Sequence, residues 1–511
     1  MEPPGPAALT TRERPAHISG KLPVRRRRPR VLEYRDIYAG GSLLPSASPD
    51  TITVASPATE TIIGAAPAAV ARDVDIAVRA ARQAFDSGPW PRAGQAERAG
   101  AMERLAKALA DRGDDMAALV TSEMGMPIAA SRAHNARNPV TALRYYAGLA
   151  RSLQPEEIRE AVMFRGHTVV RHEPVGVAAV ITPWNYPMAI AFSQLAPALA
   201  AGCTVVLKPA KQTSLSAYVL AEAFEAADFP PGVFNLVTGS NEVAEMLARH
   251  PGVDKVAFSG PAPVGRRIAV ACGESLKPVT LELGGTSAAI VLADADLAGT
   301  CAELGRLAFE NAGQTCFAAA HVLAPRSRFD DVVAGLTEQA AALVLGDPMD
   351  PDTTLGPLVT PQRRASVESY VAASTAGGTE VIAGGRRPAA PVRGYYYEPT
   401  VLAAPPRAAA AAQEVFGPVV TVSGYATEAE AVTIANDSGY GLAGTVWTAD
   451  PEHGLDLART IRTGTFGVNV YVPDLGSPWG GQASSQHGAY GPECLGSYLK
   501  PRSLFLSEPA R

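Results

Sequence analysis

Cysteine is scarce in this chain and shows no pairing pattern. The five cysteines, at 203, 272, 301, 316 and 494, are odd in number, widely spaced and free of any CxxC pair. That usage argues against a disulfide frame or a zinc site, and for reduced thiols in a cytoplasmic compartment; no metal is expected. Charge of one sign is also lacking. With 45 Lys and Arg against 50 Asp and Glu, the net charge of −5 is too mild to make nucleic acid or a membrane surface the main partner. No apolar run follows the basic cluster of "MEPPGPAALTTRERPAHISGKLPVRRRRPR", so no secretory signal is expected there. Its "RRRRPR" reads as a solvated, disordered tail, with a polyanion-binding patch as the alternative.

The converse feature is a stretch without any charge, from Pro174 to Leu207. Its length would permit a membrane helix. Pro183, Pro187, Pro197 and Gly202 cut it into pieces, however, and "TPWNYP" at its centre is turn chemistry. The expected elements are a buried strand over Val175–Ile181, a loop, a helix near Ala189–Ala200, and a buried strand over Thr204–Leu207. Uncharged strands of this kind belong in a parallel sheet covered on both faces, so no membrane span is needed.

At 511 residues and 47% apolar composition, the chain is too long for one core and reads as two or three soluble domains. "TVVLKPA" is followed by "LSAYVLAEAFEAAD", "VFNLVTG" by "NEVAEMLARH", and "KVAFSG" by "PVGRRIAVACG". This alternation predicts a doubly wound α/β domain whose ligand lies at the C-terminal ends of its strands. A second alternating region runs from "AAIVLADADL" to about residue 485. "FRGHTVVRHEPVG" looks like hairpin material, and "YLKPRSLFLSE" like a final strand.

Four stretches carry chemistry, each with a plainer alternative. In "KVAFSGPAPVGRRI" a strand ends at Ser259-Gly260 and a helix is expected from about Val264-Gly265. Such a junction suits a phosphate, although G-x-x-x-x-G is not the dinucleotide fingerprint and a simple turn remains open. In "LELGG", Glu282 sits between leucines, where an apolar setting suits a general base; a structural ion pair is the alternative. Asn185 in "TPWNYP" can donate to a developing oxyanion or merely shape a turn. In "FENAGQTCFAAAH", Cys316 precedes Phe317-Ala318-Ala319-Ala320, which would suit a buried helix, so core packing competes with nucleophilic attack.

Taken together and in order, "TPWNYP", "LKPAKQT", "FSGPAPVG", "LELGG", "NAGQTC" and "EVFGPV" span about 235 residues. They resemble the aldehyde dehydrogenase superfamily, in its NAD(P)-dependent, non-CoA-acylating form. The likeness extends from "DIYAGG" near the start to "GTFGVNVY" and "PWGG" near the end. It implies an α/β fold of three parts: a Rossmann-like cofactor domain, an α/β catalytic domain and a small β oligomerisation hairpin. The corresponding division is a basic tail over 1–37, a cofactor-binding domain over 38–152 and 174–283, a catalytic domain over 284–486, and oligomerisation strands over 153–173 and 487–511. A homodimer or homotetramer is the implied assembly.

The resemblance makes Cys316 the nucleophile, Glu282 the general base and Asn185 the oxyanion donor. They would act on a small-molecule aldehyde through a thiohemiacetal and a hydrolysed thioester. The glutamate favours hydrolysis, because CoA-acylating members generally lack it. A catalytically quiet cofactor-binding member of the same fold is the alternative. Implied contacts to NAD or NADP are Lys208 at the adenosine ribose, Ser259, Gly260 and Gly265 at the pyrophosphate, and Glu414 and Phe416 at the nicotinamide riboside. Thr182, Trp184, Lys211 and Gly239 complete the set. Thr315, Phe317 and the loop Tyr471–Gly476 are expected around the substrate.

Three departures from the family pattern stand out. Lys211 occupies the position where the family often has a glutamate facing the ribose 2′-hydroxyl, and an ammonium there would attract a 2′-phosphate, so NADP is expected to be accepted. Pro261 replaces the usual Ser or Thr of the phosphate turn. "GGQASSQHGAYGPE" lacks the Lys, Arg and Glu of the usual glycine-rich segment, and its His487 is expected to be a partly exposed loop residue.

Overall fold

The computed structural model describes residues 31–405, 413–482, 485 and 487–507. Two seven-stranded sheets dominate it. The first runs, from one edge, through Val279–Leu283, Lys255–Gly260, Val177–Ile181, Thr204–Lys208, Phe234–Leu236, Asp36–Ala39 and Ser42–Pro45. Its first five strands are mutually parallel, while Asp36–Ala39 is antiparallel to its neighbour and closes a hairpin with Ser42–Pro45. Every residue of Val177–Ile181 and of Thr204–Lys208 is buried, as two-sided helix cover requires.

Between those two strands lies the helix Pro187–Ala201. Proline at its first position lacks only an N–H that would have had no helical partner, and Gly202 ends it at a φ of 94°, in the left-handed region. The uncharged stretch is therefore strand, helix and strand, with the helix two residues earlier in its start than the sequence pattern suggests. No helix among the described residues is long and apolar enough to cross a membrane.

From Val177–Ile181 the chain builds outward on one side through Thr204–Lys208 and Phe234–Leu236. It then returns to add Lys255–Gly260 and Val279–Leu283 on the other side. That reversal opens a crevice beyond Ile181 and Gly260, the place where open parallel sheets bind ligands.

The second sheet is ordered Glu380–Ala383, Thr400–Ala404, Val419–Tyr425, His321–Pro325, Ala288–Val291, Gly444–Trp447 and Gly467–Val468. Only its first pairing is antiparallel. A separate three-stranded antiparallel sheet joins Glu156–Glu160, Gly166–Pro174 and Leu499–Ser507.

Several boundaries differ from the sequence expectation. Residues 31–37, counted with the basic tail, are in place: Leu32–Glu33 and Asp36–Ala39 are strands, Ile37 is fully buried, and Tyr34 stacks on Tyr218 at 3.8 Å. Composition blurs this edge because arginines run up to the first buried residue. Residues 1–30, including "RRRRPR", lie outside the described residues. Within 487–511, Gly491–Gly496 is a helix that buries Cys494 and Leu495, and the long strand begins only at Leu499.

Candidate active site

Cys316 lies on an irregular segment, not on the helix that its alanines suggest. After the helix Leu297–Phe309, Asn311, Ala312 and Gly313 all adopt left-handed φ values of 53°, 54° and 66°. Three such residues in succession reverse the chain, and for Asn and Ala that conformation is held only by surrounding structure. At Gly313 even a Cβ is excluded, since it would lie 2.0 Å from the Gly417 carbonyl oxygen. The alanines then lead into His321–Pro325, whose pairing with Ala288–Val291 and Val419–Tyr425 overrides their helical preference.

The loop that follows Val177–Ile181 is bonded to this segment. The Asn185 side chain, 4% exposed, donates from Nδ2 to the Gln314 carbonyl at 3.1 Å. Asn311 Nδ2 donates to the Asn185 carbonyl at 3.1 Å. Tyr186 and Thr315 share a hydroxyl hydrogen bond of 2.7 Å. Asn185 and Tyr186 thus hold the two residues immediately before Cys316. Thr315 turns its hydroxyl toward Tyr186, while Phe317 packs 5.3 Å from the Tyr471 ring and 6.3 Å from the Trp479 ring. Tyr490 stands 6.0 Å from Trp479, extending this aromatic wall.

Cys316 is half-buried as a residue, yet desolvation pushes its thiol well above the ordinary range. The charges of Glu414 and Glu282 push the same way, while the backbone N–H groups of Cys316 and Phe317 favour the anion. The resting sulfur is therefore a thiol, and reaction requires its proton to leave. Glu282 is 8% exposed on Val279–Leu283, in register with Ser259, and its charge is felt by both Cys316 and Tyr490.

A second group converges on the "LELGG" turn. The Gly285 N–H donates to Glu414 Oε1 at 3.2 Å, and a Cβ on Gly284 would lie 2.2 Å from Glu414 Oε2. Burial pushes the Glu414 carboxyl up to about 7, opposed by the Gly285 N–H and the Arg363 charge. Phe416, at a φ of 48°, meets Trp184 edge-on at 5.6 Å, and Arg363 lies over the Phe416 ring, 5.6 Å from its centroid. Arg363 carried no signal in the sequence; neither its spacing nor its neighbours mark it.

The remaining sequence-selected residues collect at the strand ends of the first sheet. Thr182 donates its N–H to the Lys208 carbonyl at 3.1 Å, bringing two strand ends together. Lys208 is 4% exposed, with no ion-pair partner among the described residues; burial and the nearby Lys211 pull its ammonium down to about 8, with Glu242 opposing. Lys211 is exposed, three residues on. Gly239 has no room for a Cβ, which would meet Val243 Cγ2 at 2.4 Å.

Ser259 and Gly260 end their strand, and Gly260 has a φ of 158°. The next helix, Ala262–Gly273, starts earlier than expected because Pro261 already serves as its N-cap. Gly265 consequently donates to the Pro261 carbonyl at 3.0 Å, and its lack of a Cβ lets Leu283 approach. A buried cation, a helix N-terminus and glycines that leave the backbone bare fit a dinucleotide cofactor. The His487 side chain lies outside the described residues; its backbone pairs with Gly480.

Among the described residues, no cluster of three His, Cys, Asp or Glu side chains could hold a metal. All five cysteines are free, and the four besides Cys316 are buried.

Comparison with known proteins finds similar proteins over most of the chain. The model of the aldehyde dehydrogenase family matches residues 44–504. Geranial dehydrogenase of Castellaniella defragrans is 43% identical over 93% of this chain and 99% of its own length. A Mycobacterium tuberculosis aldehyde dehydrogenase solved with NAD+ is 41% identical, with a TM-score of 0.91 over 93% of this chain and 99% of that one. Aldehyde dehydrogenase C of Pseudomonas syringae, solved as a mutant with NAD+ and octanal, is 34% identical, with a TM-score of 0.90 over 93% and 98%.

Proposed function

The chain belongs to the aldehyde dehydrogenase family, and we infer from that premise that it oxidises an aldehyde to the carboxylic acid with NAD as hydride acceptor. The observation that carries the reading is the bonding of Asn185 and Tyr186 to Gln314 and Thr315, directly before a thiol that also feels the Glu282 charge.

Cys316 attacks the aldehyde carbon once its proton has passed to a base. The carbonyl oxygen becomes an oxyanion, which the Asn185 amide and the Cys316 N–H are suited to hold. One Asn185 N–H is engaged by Gln314, so the amide is oriented before substrate arrives, and a second remains for the substrate. Loss of one such donor costs ~3–4 kcal/mol of transition-state stabilisation. When bound, NAD supplies the acceptor for the hydride that the thiohemiacetal releases on becoming a thioester. Glu282 then takes a proton from water, whose oxygen attacks the thioester carbon and returns Cys316 to the free state.

Lys208, Gly239, Ser259 and Gly260 would hold the adenosine and pyrophosphate end of the cofactor, and Trp184, Glu414 and Phe416 its nicotinamide end. Lys211 supports acceptance of NADP beside NAD, since its ammonium would face a 2′-phosphate. The aromatic wall of Phe317, Tyr471, Trp479 and Tyr490 favours an aldehyde with an apolar body.

Residues 38–152 and 174–283 serve as the cofactor domain in this account, and 284–486 as the catalytic domain. The strands Glu156–Glu160 and Leu499–Ser507 present Ile158, Phe505 and Leu506 at 72%, 72% and 52% exposure, which supports a homodimer or homotetramer built on that sheet. Free cysteines support a cytoplasmic setting.

The test is formation of reduced nicotinamide with a panel of aldehydes, in wild type and in Cys316→Ala. Turnover with at least one aldehyde, lost in the variant, is expected. Cofactor binding with no turnover of any aldehyde would instead identify a quiet member of the fold.

A further inference from the structure

Fifty residues before Asn185, the chain contains a π-helical turn, Arg132–Arg137, set between Ile128–Ser131 and the helix Asn138–Ser152. Such wide turns disturb the regular hydrogen bonding of a helix and recur at functional sites. Two consecutive residues of this one reach the active-site loops. Asn135, 1% exposed, accepts the Met188 N–H on its Oδ1 at 3.2 Å. His134 sits with its Nε2 2.6 Å from Glu310 Oε1, and its ring meets the Tyr186 ring edge-on at 5.0 Å.

The Met188 bond matters because of where the helix Pro187–Ala201 begins. Its first residue is proline and has no N–H, and its N-cap Tyr186 supplies no side-chain acceptor. Met188 therefore carries the first N–H of the helix that needs an outside partner. Asn135 provides it from a distant element and so fixes the start of the helix, two residues after Asn185. Its own Nδ2 is directed at Met126 Sδ and Ser131 Oγ, at 3.4 and 3.5 Å, which sets the amide in place. His134 anchors the other side of the site through Glu310, the residue before the left-handed run that leads to Cys316. Arg306 forms an ion pair with the other Glu310 oxygen at 3.5 Å.

We propose that Asn135 is a positioning residue for the oxyanion donor: by capping the helix Pro187–Ala201 from the π-helical turn, it holds Asn185 at the distance from Cys316 that acylation requires. This rests on the reading of Asn185 as that donor. At 1% exposure, Asn135 has almost no surface to offer a substrate or cofactor. Its effect passes through the loop Asn185–Tyr186, and displacements of about 1 Å at such a group cost on the order of 100-fold in rate.

A double-mutant cycle tests the proposal in the full-length enzyme. Asn135→Leu removes the cap while keeping the number of side-chain heavy atoms. Asn135→Asp keeps an acceptor for Met188 and serves as the conservative control. Asn135→Leu is expected to lower kcat roughly 10- to 100-fold in the wild-type background, and less than about threefold once Asn185 is alanine. Asn135→Asp should recover most of the loss. Cofactor Kd and the rate of Cys316 alkylation by iodoacetamide should stay within about twofold, since neither uses the oxyanion site.

Equal losses in both backgrounds would overturn the proposal and make Asn135 a general stability residue. So would a full-rate Asn135→Leu enzyme. If Asn135→Leu does not fold, Asn135→Ser decides in the same cycle. Normal turnover by Asn185→Ala alone would instead refute the oxyanion assignment, which keeps the two failures distinct.

Discussion

Replacing Glu414 by glutamine probes the Gly284-Gly285 turn through pH rather than through activity. Burial raises the Glu414 carboxyl from the ordinary 4.5 to about 7 in the folded protein. The folded state thus binds a proton more tightly than the unfolded chain. For an acid raised in this way, stability is highest below pH 4.5 and falls as pH climbs through the folded value near 7. The shift of about 2.5 units corresponds to about 3 kcal/mol lost across that window. Glutamine keeps an oxygen for the Gly285 N–H but cannot ionise. Urea unfolding of both proteins between pH 5 and 8.5 should show the wild type losing about 3 kcal/mol relative to Glu414→Gln as pH rises. A difference between the two that does not change with pH would refute the burial argument. Gain of wild-type stability with pH would refute it more strongly, because the Arg363 and Gly285 contributions would then outweigh desolvation.

Three further outcomes follow from single contacts. Gly284→Ala puts a methyl 2.2 Å from Glu414 Oε2, so cofactor Kd by fluorescence titration should weaken roughly tenfold, while alkylation of Cys316 stays unchanged. Lys211→Glu should lower kcat/KM for NADP at least roughly tenfold while sparing NAD; a strong NAD preference that is the same in both proteins would remove Lys211 from the discrimination. Phe505→Asp places a charge on the exposed apolar strand, and sedimentation velocity should show a smaller species than wild type; an unchanged sedimentation coefficient would clear that sheet of a role in assembly.

The residues most readable in the sequence were those whose chemistry and local pattern coincide. Val177–Ile181 and Thr204–Lys208 declare themselves by lacking charge, and Asn185, Glu282 and Cys316 by standing in ordered motifs. The Phe317–Ala320 run misleads because strand pairing at His321 and the left-handed turn at Asn311–Gly313 outweigh alanine's helical preference. The helix after Gly260 begins at Ala262 because a proline cap needs no hydrogen-bond donor of its own. Least readable were relations across space. Arg363 meets Phe416, Tyr186 meets Thr315 and Asn135 meets Met188 over separations of about 50 to 130 residues, and no local period marks any of them. A π-helical turn, defined by its hydrogen bonds alone, leaves no composition signal either.

The central claim is that Cys316 carries the acyl group and Glu282 releases it. Mixing Glu282→Gln with NAD and an aldehyde that the wild type turns over tests both halves at once. The account predicts a single burst of reduced nicotinamide, close to one equivalent per active site, followed by slow turnover. Peptide mass spectrometry should then find the acyl group on Cys316. Steady turnover at the wild-type rate, or acyl label on any of the other four cysteines, would contradict it.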